Sequence, residues 1–382
     1  MSTPQPIETM TYRPSTRAVI DLSAFRHNLE VLRTLTGPRV KVMAVLKSNA
    51  YGHGVRIVAK QAVRWGVDAL AVARLGEGTE LRAEGIDLPI LVCEVLADDQ
   101  VELALRDRLE LTVTTVEGAR AVGEAARHSG VSARVHVKVD TGMGRLGFSY
   151  REAADAIEAV ARVRGLEMIG VFSHFASSDE PGLVFARGQL VRFHGVLEEL
   201  DRRRIQIPLR HMANSGAIIN LPESHLDMVR PGLMLYGYTP AKDMEVGNRL
   251  RPMMALRSRV AFIKTVEPNT SISYSRKYHT RTRTRIGTIP IGYGDGYSRM
   301  LTNRFEVLIR GARYPIVGSI CMDHLMVDLG IDGPASTGDD VTLIGDDGGD
   351  RITCWDVAEK MGTIPYEVTC LITPRVERVF IE

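Results

Sequence analysis

Val42-Met43-Ala44-Val45-Leu46-Lys47-Ser48-Asn49-Ala50-Tyr51-Gly52-His53-Gly54, residues 42–54, is an apolar run that ends on a lysine and enters a turn marked by glycines. A continuous apolar run of this length, bounded by turn residues, reads as a buried strand. Arg56–Trp65 follows with apolar positions at i, i+3 and i+4, the pattern of an amphipathic helix. Strand, turn and helix make one unit, and whether that unit repeats decides the fold.

It repeats. Short β-branched runs recur at Val40–Leu46, Ala69–Ala73, Ile90–Cys93, Leu109–Val113, Ala133–Val139, Met168–Phe172, around Leu209–Met212 and at Met228–Tyr236. Helical patterns such as Glu117–His128, Tyr150–Val163 and Phe185–Arg204 lie between them. Eight such repeats in roughly 200 residues point to a (β/α)8 TIM barrel more than to an open doubly wound sheet. We assign it residues 18–250, after an N-terminal extension of residues 1–17. Ala18–Asp21 reads as a strand outside the barrel cycle, and either Asp21 or Ser23 caps the helix Ser23–Leu35.

Past Leu250 the rhythm changes to short strands with Gly, Asp and Asn between them. They are Leu256–Val266, Ile286–Ile291, Glu306–Ile309, Tyr314–Val317, Leu325–Leu329 and Val341–Ile344. Residues 251–382 therefore read as a β domain with one short helix, Trp355–Met361. The fold class is α/β plus all-β.

Composition excludes several functions. The chain has 382 residues, 45% hydrophobic and 25% charged, with a net charge of +2. That balance suits a globular enzyme and argues for neither nucleic acid nor a membrane surface as partner. Four scattered cysteines read as reduced thiols. Met1–Arg17 lacks the apolar core of a signal peptide, so a cytoplasmic location is expected. None of the ten histidines stands in an HExxH or finger-like spacing, which argues against a transition-metal site.

In a barrel the catalytic face lies at the C-terminal ends of the strands. Those ends carry Lys47, Arg74, Glu94, Asp140, His174, Asn214 and Arg230. A lysine in an apolar site can act as a neutral amine and form Schiff bases with carbonyl compounds. Taken alone, this segment better fits a solvated lysine capping a strand. Asn214-Ser215-Gly216-Ala217 opens a short helix and offers N–H groups and a hydroxyl to phosphate, or simply an N-cap. Arg230-Pro231-Gly232-Leu233 is a glycine turn at the end of strand eight, where barrels often bind phosphate. Gly142-Met143-Gly144-Arg145-Leu146-Gly147 matches GxGxxG formally, but four strand–helix units precede it and the next helix is expected near Ser149. A dinucleotide-binding dehydrogenase is therefore the weaker reading, and the loop better serves to bring Arg145 to a carboxylate. Arg281, Arg283 and Arg285 would lie on one face of a strand, as a solvated or interface face.

Eight stretches, in order, resemble the alanine racemase family over about residues 15–380. They are VLKSNAYGHG at 45–54, KVDTGMGRLGF at 138–148, SHFASSD at 173–179, HMANSGA at 211–217, VRPGLMLYG at 229–237, IPIGYGDGYSR at 289–299, SICMDH at 319–324 and IPYEV at 364–368. The resemblance implies a racemase interconverting L- and D-alanine for peptidoglycan metabolism. It also implies a head-to-tail homodimer using pyridoxal 5'-phosphate (PLP) held as a Schiff base on Lys47.

By the same resemblance Lys47 and Tyr274 are the two bases, the tyrosine reaching the site of the other subunit with His174 as its partner. Tyr51, Asn214, Ser215, Gly232, Leu233 and Tyr366 match the phosphate-binding side. Arg230 matches the partner of the pyridine nitrogen, supported by His211. Arg145 and the backbone of Met322 match the substrate-carboxylate site, and Lys138 a lysine that is often carbamylated. Tyr293 and Asp323 fall in matching stretches as supporting residues. The family commonly has glycine and arginine where this chain has Ser275 and Ser319. A serine or broad-specificity racemase on the same scaffold is the nearest alternative, and a non-catalytic PLP-binding protein a remote one.

Overall fold

The computed structural model describes residues 14–242 and 244–382; of the N-terminal extension expected over residues 1–17, residues 1–13 lie outside the described residues. Two compact units are present. One comprises residues 21–253 with 364–370 and 381–382; the other comprises residues 254–363 and 371–380 with the N-terminal strand.

Eight parallel strands close on themselves in the first unit. Lys41–Val45, Ala69–Val72, Ile90–Val92, Glu110–Val113, Ala133–Asp140, Leu166–Phe172, Leu209–His211 and Met228–Val229 pair in turn, and the last pairs back to the first. The strands are short, apolar and buried on both faces, as in parallel sheets covered by helices. Met43, Ala69, Ala71, Leu91 and Met228 fill the interior, with Val45, Cys93 and Leu209 packed against them. The eighth strand is much shorter than the expected Met228–Tyr236, because Pro231 and Gly232 break the ladder and Leu233–Tyr236 turns into a 3-10 helix. The helix Leu22–Thr36 starts on Asp21, whose carboxylate accepts from the Ala24 N–H.

Among the described residues the β unit holds three sheets. The largest runs Ala312–Pro315, Glu306–Ile309, Asp340–Asp347, Met254–Arg259, Arg17–Asp21 and Glu377–Ile381, with Asp350–Ile352 beside Asp340–Asp347. Arg17–Ile20 thus pairs antiparallel with Met254–Arg257 and does not belong with the barrel residues. Its alternating burial, with Ala18 and Ile20 inward, fits a sheet packed on one face. The expected strand Leu256–Val266 is really two, Met254–Arg259 and Phe262–Val266, in different sheets. Phe262–Val266, Thr284–Ile289 and Leu325–Asp328 form the second sheet. Arg281 and Arg283 precede its central strand, so no face of three arginines forms; Arg285 instead donates to the Gly333 and Ala335 carbonyls. A two-stranded hairpin, Ser271–Ile272 with Tyr278–His279, carries Tyr274 at its tip. The expected short helix is present as Cys354–Met361; the helix Pro365–Leu371 and the strand Glu377–Ile381 were not expected.

No helix among the described residues is long and apolar enough to cross a membrane.

Candidate active site at the barrel mouth

A cavity of about 310 Å³ opens at the C-terminal ends of the barrel strands. Lys47, Arg74, Glu94, Lys138, His174, Asn214 and Arg230 line it, each at or near the end of a different strand. Tyr51, Arg145, Ser215, Gly232, Leu233 and Tyr366 complete its polar wall. Six of the seven polar strand ends picked from sequence therefore meet in one place. The seventh, Asp140, is structural: its carboxylate accepts from Gly142 and Gly144 N–H and shapes the loop that carries Arg145.

That loop is no dinucleotide turn. Its next helix begins only at Ala153, later than expected, after a two-residue strand Phe148–Ser149. A Cβ at Gly147 would come within 2.8 Å of the Lys138 carbonyl, so the glycine serves loop packing.

The segment after Lys47 is unusual. Ser48, Asn49, Ala50 and Tyr51 all have φ near +54, a left-handed turn made without glycine. Such backbone costs about 1–2 kcal/mol per residue and persists only where surroundings enforce it. Glu77 accepts from Ser48 N–H at 2.6 Å and from Ala73 N–H at 2.8 Å, tying the turn to the next strand. Asn49 Oδ1 accepts from Val55 N–H at 2.8 Å. At Gly52 a Cβ would lie 2.1 Å from the Thr369 carbonyl, so Pro365–Leu371 packs directly on the turn and brings Tyr366 into the cavity. Lys47 itself is exposed on the cavity wall, as a solvated strand-end lysine would be, and is not enclosed in an apolar site.

One end of the cavity is a cradle. Asn214 caps the helix Ser215–Asn220 through Oδ1, which accepts from Ala217 N–H and from Ser178 Oγ. Ser215 Oγ accepts from Gly232 N–H at 3.1 Å and Met234 N–H at 3.2 Å, which leaves its own proton to donate. A Cβ at Gly232 would stand 2.5 Å from Tyr51 Oη, so only glycine lets the phenol approach. Burial, then the neighbouring Tyr366, Cys370 and Cys93, push the Tyr51 phenol well above its ordinary range. Burial and Asp179 push Tyr366 up to about 12. Both phenols stay protonated at neutral pH and so are able to donate. Ser215, Tyr51 and Tyr366 thus suit a phosphate.

The other end is cationic. Arg230 is buried and donates to His211 Nδ1 at 2.8 Å, to the Ser173 and Met212 carbonyls, and to His174 Nδ1 at 3.3 Å. Burial lowers it to about 10, so it remains charged at neutral pH. Because Nδ1 of His211 accepts, its proton sits on Nε2 and is donated to His136 Nδ1 at 2.9 Å; His136 Nε2–H then donates to Glu110 at 2.9 Å. Burial would raise the Glu110 carboxyl, but bonds from His136 and Arg134 outweigh it and hold it below the usual range. The chain of bonds holds the Arg230 fork still. Sequence reading found His211 but neither His136 nor Glu110, which are polar residues hidden within barrel strands. Burial first, then the Arg230, Lys138, Arg145 and Lys47 charges, push His174 well below its ordinary value, so it is neutral. Burial, then Arg145 and Arg230, bring Lys138 down to about 8. Its Nζ lies 5.1 Å above the Phe172 ring.

A phosphate cradle, a strand-end amine and four further basic side chains, Arg74, Lys138, Arg145 and Arg230, in one barrel mouth suit a phosphate-bearing ligand and a carboxylate. Residues 20–240 match the family described as "Alanine racemase, N-terminal domain", and residues 253–380 its C-terminal domain. The chain belongs to the alanine racemase family. It is 44% identical over 367 residues to alanine racemase 2 of Caldanaerobacter subterraneus subsp. tengcongensis, covering 96% of this chain and 95% of that protein. To the alanine racemase of Methanococcus maripaludis it is 40% identical, covering 95% and 98%. The solved alanine racemase of Clostridium difficile 630 superposes with a TM-score of 0.93 at 39% identity, covering 98% of this chain and 97% of that one. A structure of the same protein complexed with cycloserine gives 0.90 at 38%, covering 97% of each chain. The (β/α)8 barrel and separate β unit are thus those of the alanine racemase family.

The remaining predicted residues of this family site lie in the β unit. Tyr274 is exposed at its hairpin tip, and Met322, Asp323 and Tyr293 are also exposed. Tyr293 N–H donates to the Cys321 carbonyl at 3.0 Å, Gly294 N–H donates to the Met322 carbonyl at 2.9 Å, and Asp323 pairs with Arg375 at 2.6 Å.

Proposed function

We propose that this chain interconverts L- and D-alanine with PLP bound through Lys47 and with Lys47 and Tyr274 as opposed bases, supplying or consuming D-alanine for peptidoglycan metabolism in the cytoplasm. As a member of its family it is an enzyme, an isomerase of the racemase class. The observation that carries the finer reading is the convergence of Lys47 on the Ser215–Gly232–Tyr51 cradle and the buried Arg230. Relatives have been solved with cycloserine and with bound L-Ala-P, which fits an amino-acid-sized ligand here.

Bound PLP supplies an electron sink that acidifies the Cα–H of an attached amino acid. The protein's residues do the rest. Ser215, Tyr51 and Tyr366 would hold the PLP phosphate, and Arg230 would be the partner of the ring nitrogen. An arginine held at about 10 cannot protonate that nitrogen, which limits the sink and disfavours transamination. Arg145 takes the substrate carboxylate, with the backbone of Met322 beside it. Racemisation needs a proton held on each face of Cα: the Lys47 amine serves one and the Tyr274 phenol the other. The second base is assigned to the neighbouring subunit of a head-to-tail homodimer.

Chiral chromatography after incubation with L-alanine, L-serine and L-lysine tests the reading. Alanine should be turned over fastest; preferred turnover of serine favours the broad-specificity alternative, and exclusive turnover of lysine refutes the alanine assignment.

Two predictions arise from the site itself. Gly232→Ala would press Tyr51 away from the cradle and should weaken PLP binding by about tenfold, ~1.4 kcal/mol; equilibrium dialysis measures it, and unchanged affinity would mean that Tyr51 and Gly232 do not hold the phosphate. Lys138, lowered to about 8, presents a neutral amine in appreciable fraction near neutral pH, as carbamate formation from CO2 requires. A protein equilibrated with 13C-bicarbonate at pH 8 should show a carbamate carbon signal that fades as pH falls and the amine protonates. The signal should be absent from Lys138→Ala; a wild-type spectrum without it would exclude the modification.

A further inference from the structure

We propose that Ser273 and Ser319 form a reciprocal brace that positions Tyr274 and joins it to the Met322 loop. The inference rests on the assignment of Tyr274 as the second base. Ser273 and Ser319 are positioning residues and touch no reacting atom.

Tyr274 is 69% exposed, so its ring is placed chiefly by its backbone. That backbone is held in conformations side chains avoid. Ser273 has φ 64 and ψ −175, a region open almost only to glycine, and Ser275 and Arg276 follow at φ 60 and 46. Three positive-φ residues among the four from Ser273 to Arg276 relax unless something fastens them.

Two hydroxyls do so in opposite directions. Ser273 Oγ donates to the Ser319 carbonyl at 2.6 Å, while Ser319 Oγ donates to the Tyr274 carbonyl at 3.0 Å. Ser319 is only 1% exposed, so water does not compete for its bond. Ser273 Oγ also lies 3.4 Å from Cys321 Sγ. The two loops touch at Gly318 (φ 76), where a Cβ would stand 2.7 Å from the Ile272 carbonyl and 2.9 Å from Ser273 Cβ. The far loop is anchored in turn. Gly318 N–H donates to Asn303 Oδ1 at 2.6 Å, and the Cys321 and Met322 carbonyls accept from Tyr293 and Gly294 N–H. The hairpin tip bearing the phenol and the backbone assigned to the substrate carboxylate are therefore one fastened piece. Ser319 stands where the family commonly has arginine, so this chain fastens the tip with a short buried hydroxyl.

The test compares Ser319→Ala, Ser319→Thr and Ser273→Ala as holoenzymes, with Cα-deuterated L- and D-alanine. Loosening the phenol should lower kcat by about tenfold to a hundredfold, since small misplacements of a reacting group are costly. The KM for alanine should change less than about twofold, because the substrate contacts remain. The primary isotope effect should rise for the enantiomer whose Cα proton faces Tyr274 and not for the other, a split that general loss of structure would not give. Ser319→Thr, which keeps the hydroxyl, should recover most of kcat. In a Tyr274→Phe background Ser319→Ala should have little further effect, because it acts through the phenol. Wild-type kcat in Ser319→Ala, or isotope effects that move equally for both enantiomers, would overturn the brace. If Ser319→Ala does not fold, soluble Ser273→Ala decides by the same two readouts. Full turnover by Tyr274→Phe would instead refute the base assignment, whatever the serine variants do.

Discussion

Lys47→Ala is expected to lower racemisation by at least roughly 10⁴-fold, the upper end of what loss of a single positioned base removes. The estimate is a floor because the side chain has two tasks in the proposed mechanism, attaching PLP and holding the proton on one face of Cα. The fold should be untouched. Lys47 is exposed on the cavity wall, and the left-handed turn beside it is held by Glu77 and by the Gly52–Thr369 packing, not by the lysine side chain. Substitution at such a position changes stability by no more than about 0.5 kcal/mol. The variant should melt with the parent protein, and borohydride followed by peptide mapping should label the parent at residue 47 and the variant nowhere. Chiral chromatography reads the activity. Turnover within about tenfold of wild type would remove Lys47 from both roles.

The fold was legible because its signal is periodic. Each barrel strand is a short run of apolar residues buried on both faces, and eight of them in sequence leave few architectures open. The same logic located the cavity, since strand ends are countable: Lys47, Arg74, Glu94, His174, Asn214 and Arg230 follow from where the runs stop, while Lys138 came only through family resemblance. What stayed hidden depends on partners distant in the chain. Nothing in Ser48-Asn49-Ala50-Tyr51 announces four left-handed residues; Glu77 and the segment at Thr369 impose them. Tyr366 came only through family resemblance, because Pro365–Leu371 returns from the end of the β-domain sequence to the barrel unit. Glu110 and His136 were passed over because a charged residue inside an apolar strand carries no motif, and its meaning appears only when Arg134 and His211 are found beside it. The misplacement of Arg17–Ile20 has a similar cause. Its alternation names a one-sided sheet but not which sheet, and the partner is Met254–Arg257, over two hundred residues away.

A hybrid dimer should recover what two dead homodimers lack. Lys47→Ala and Tyr274→Phe are each expected to be inactive alone, the first for want of the strand-end amine and the second for want of the opposed phenol. If each site pairs the Lys47 of one chain with the Tyr274 of the other, co-expression of the two variants yields a dimer in which one site carries both substitutions and the other carries neither. That hybrid, purified through a different tag on each chain, should have about half the wild-type activity per dimer, as two-fold symmetry with one intact site requires. If Lys47 and Tyr274 of the same chain served one site, each site would lack one base and the hybrid would stay inactive. The structure gives the experiment its leverage, because Tyr274 stands exposed at the tip of a strained hairpin, with its backbone fastened and its ring uncovered. An inactive hybrid with both tags present and PLP bound would overturn the shared site while leaving the barrel chemistry of Lys47 intact.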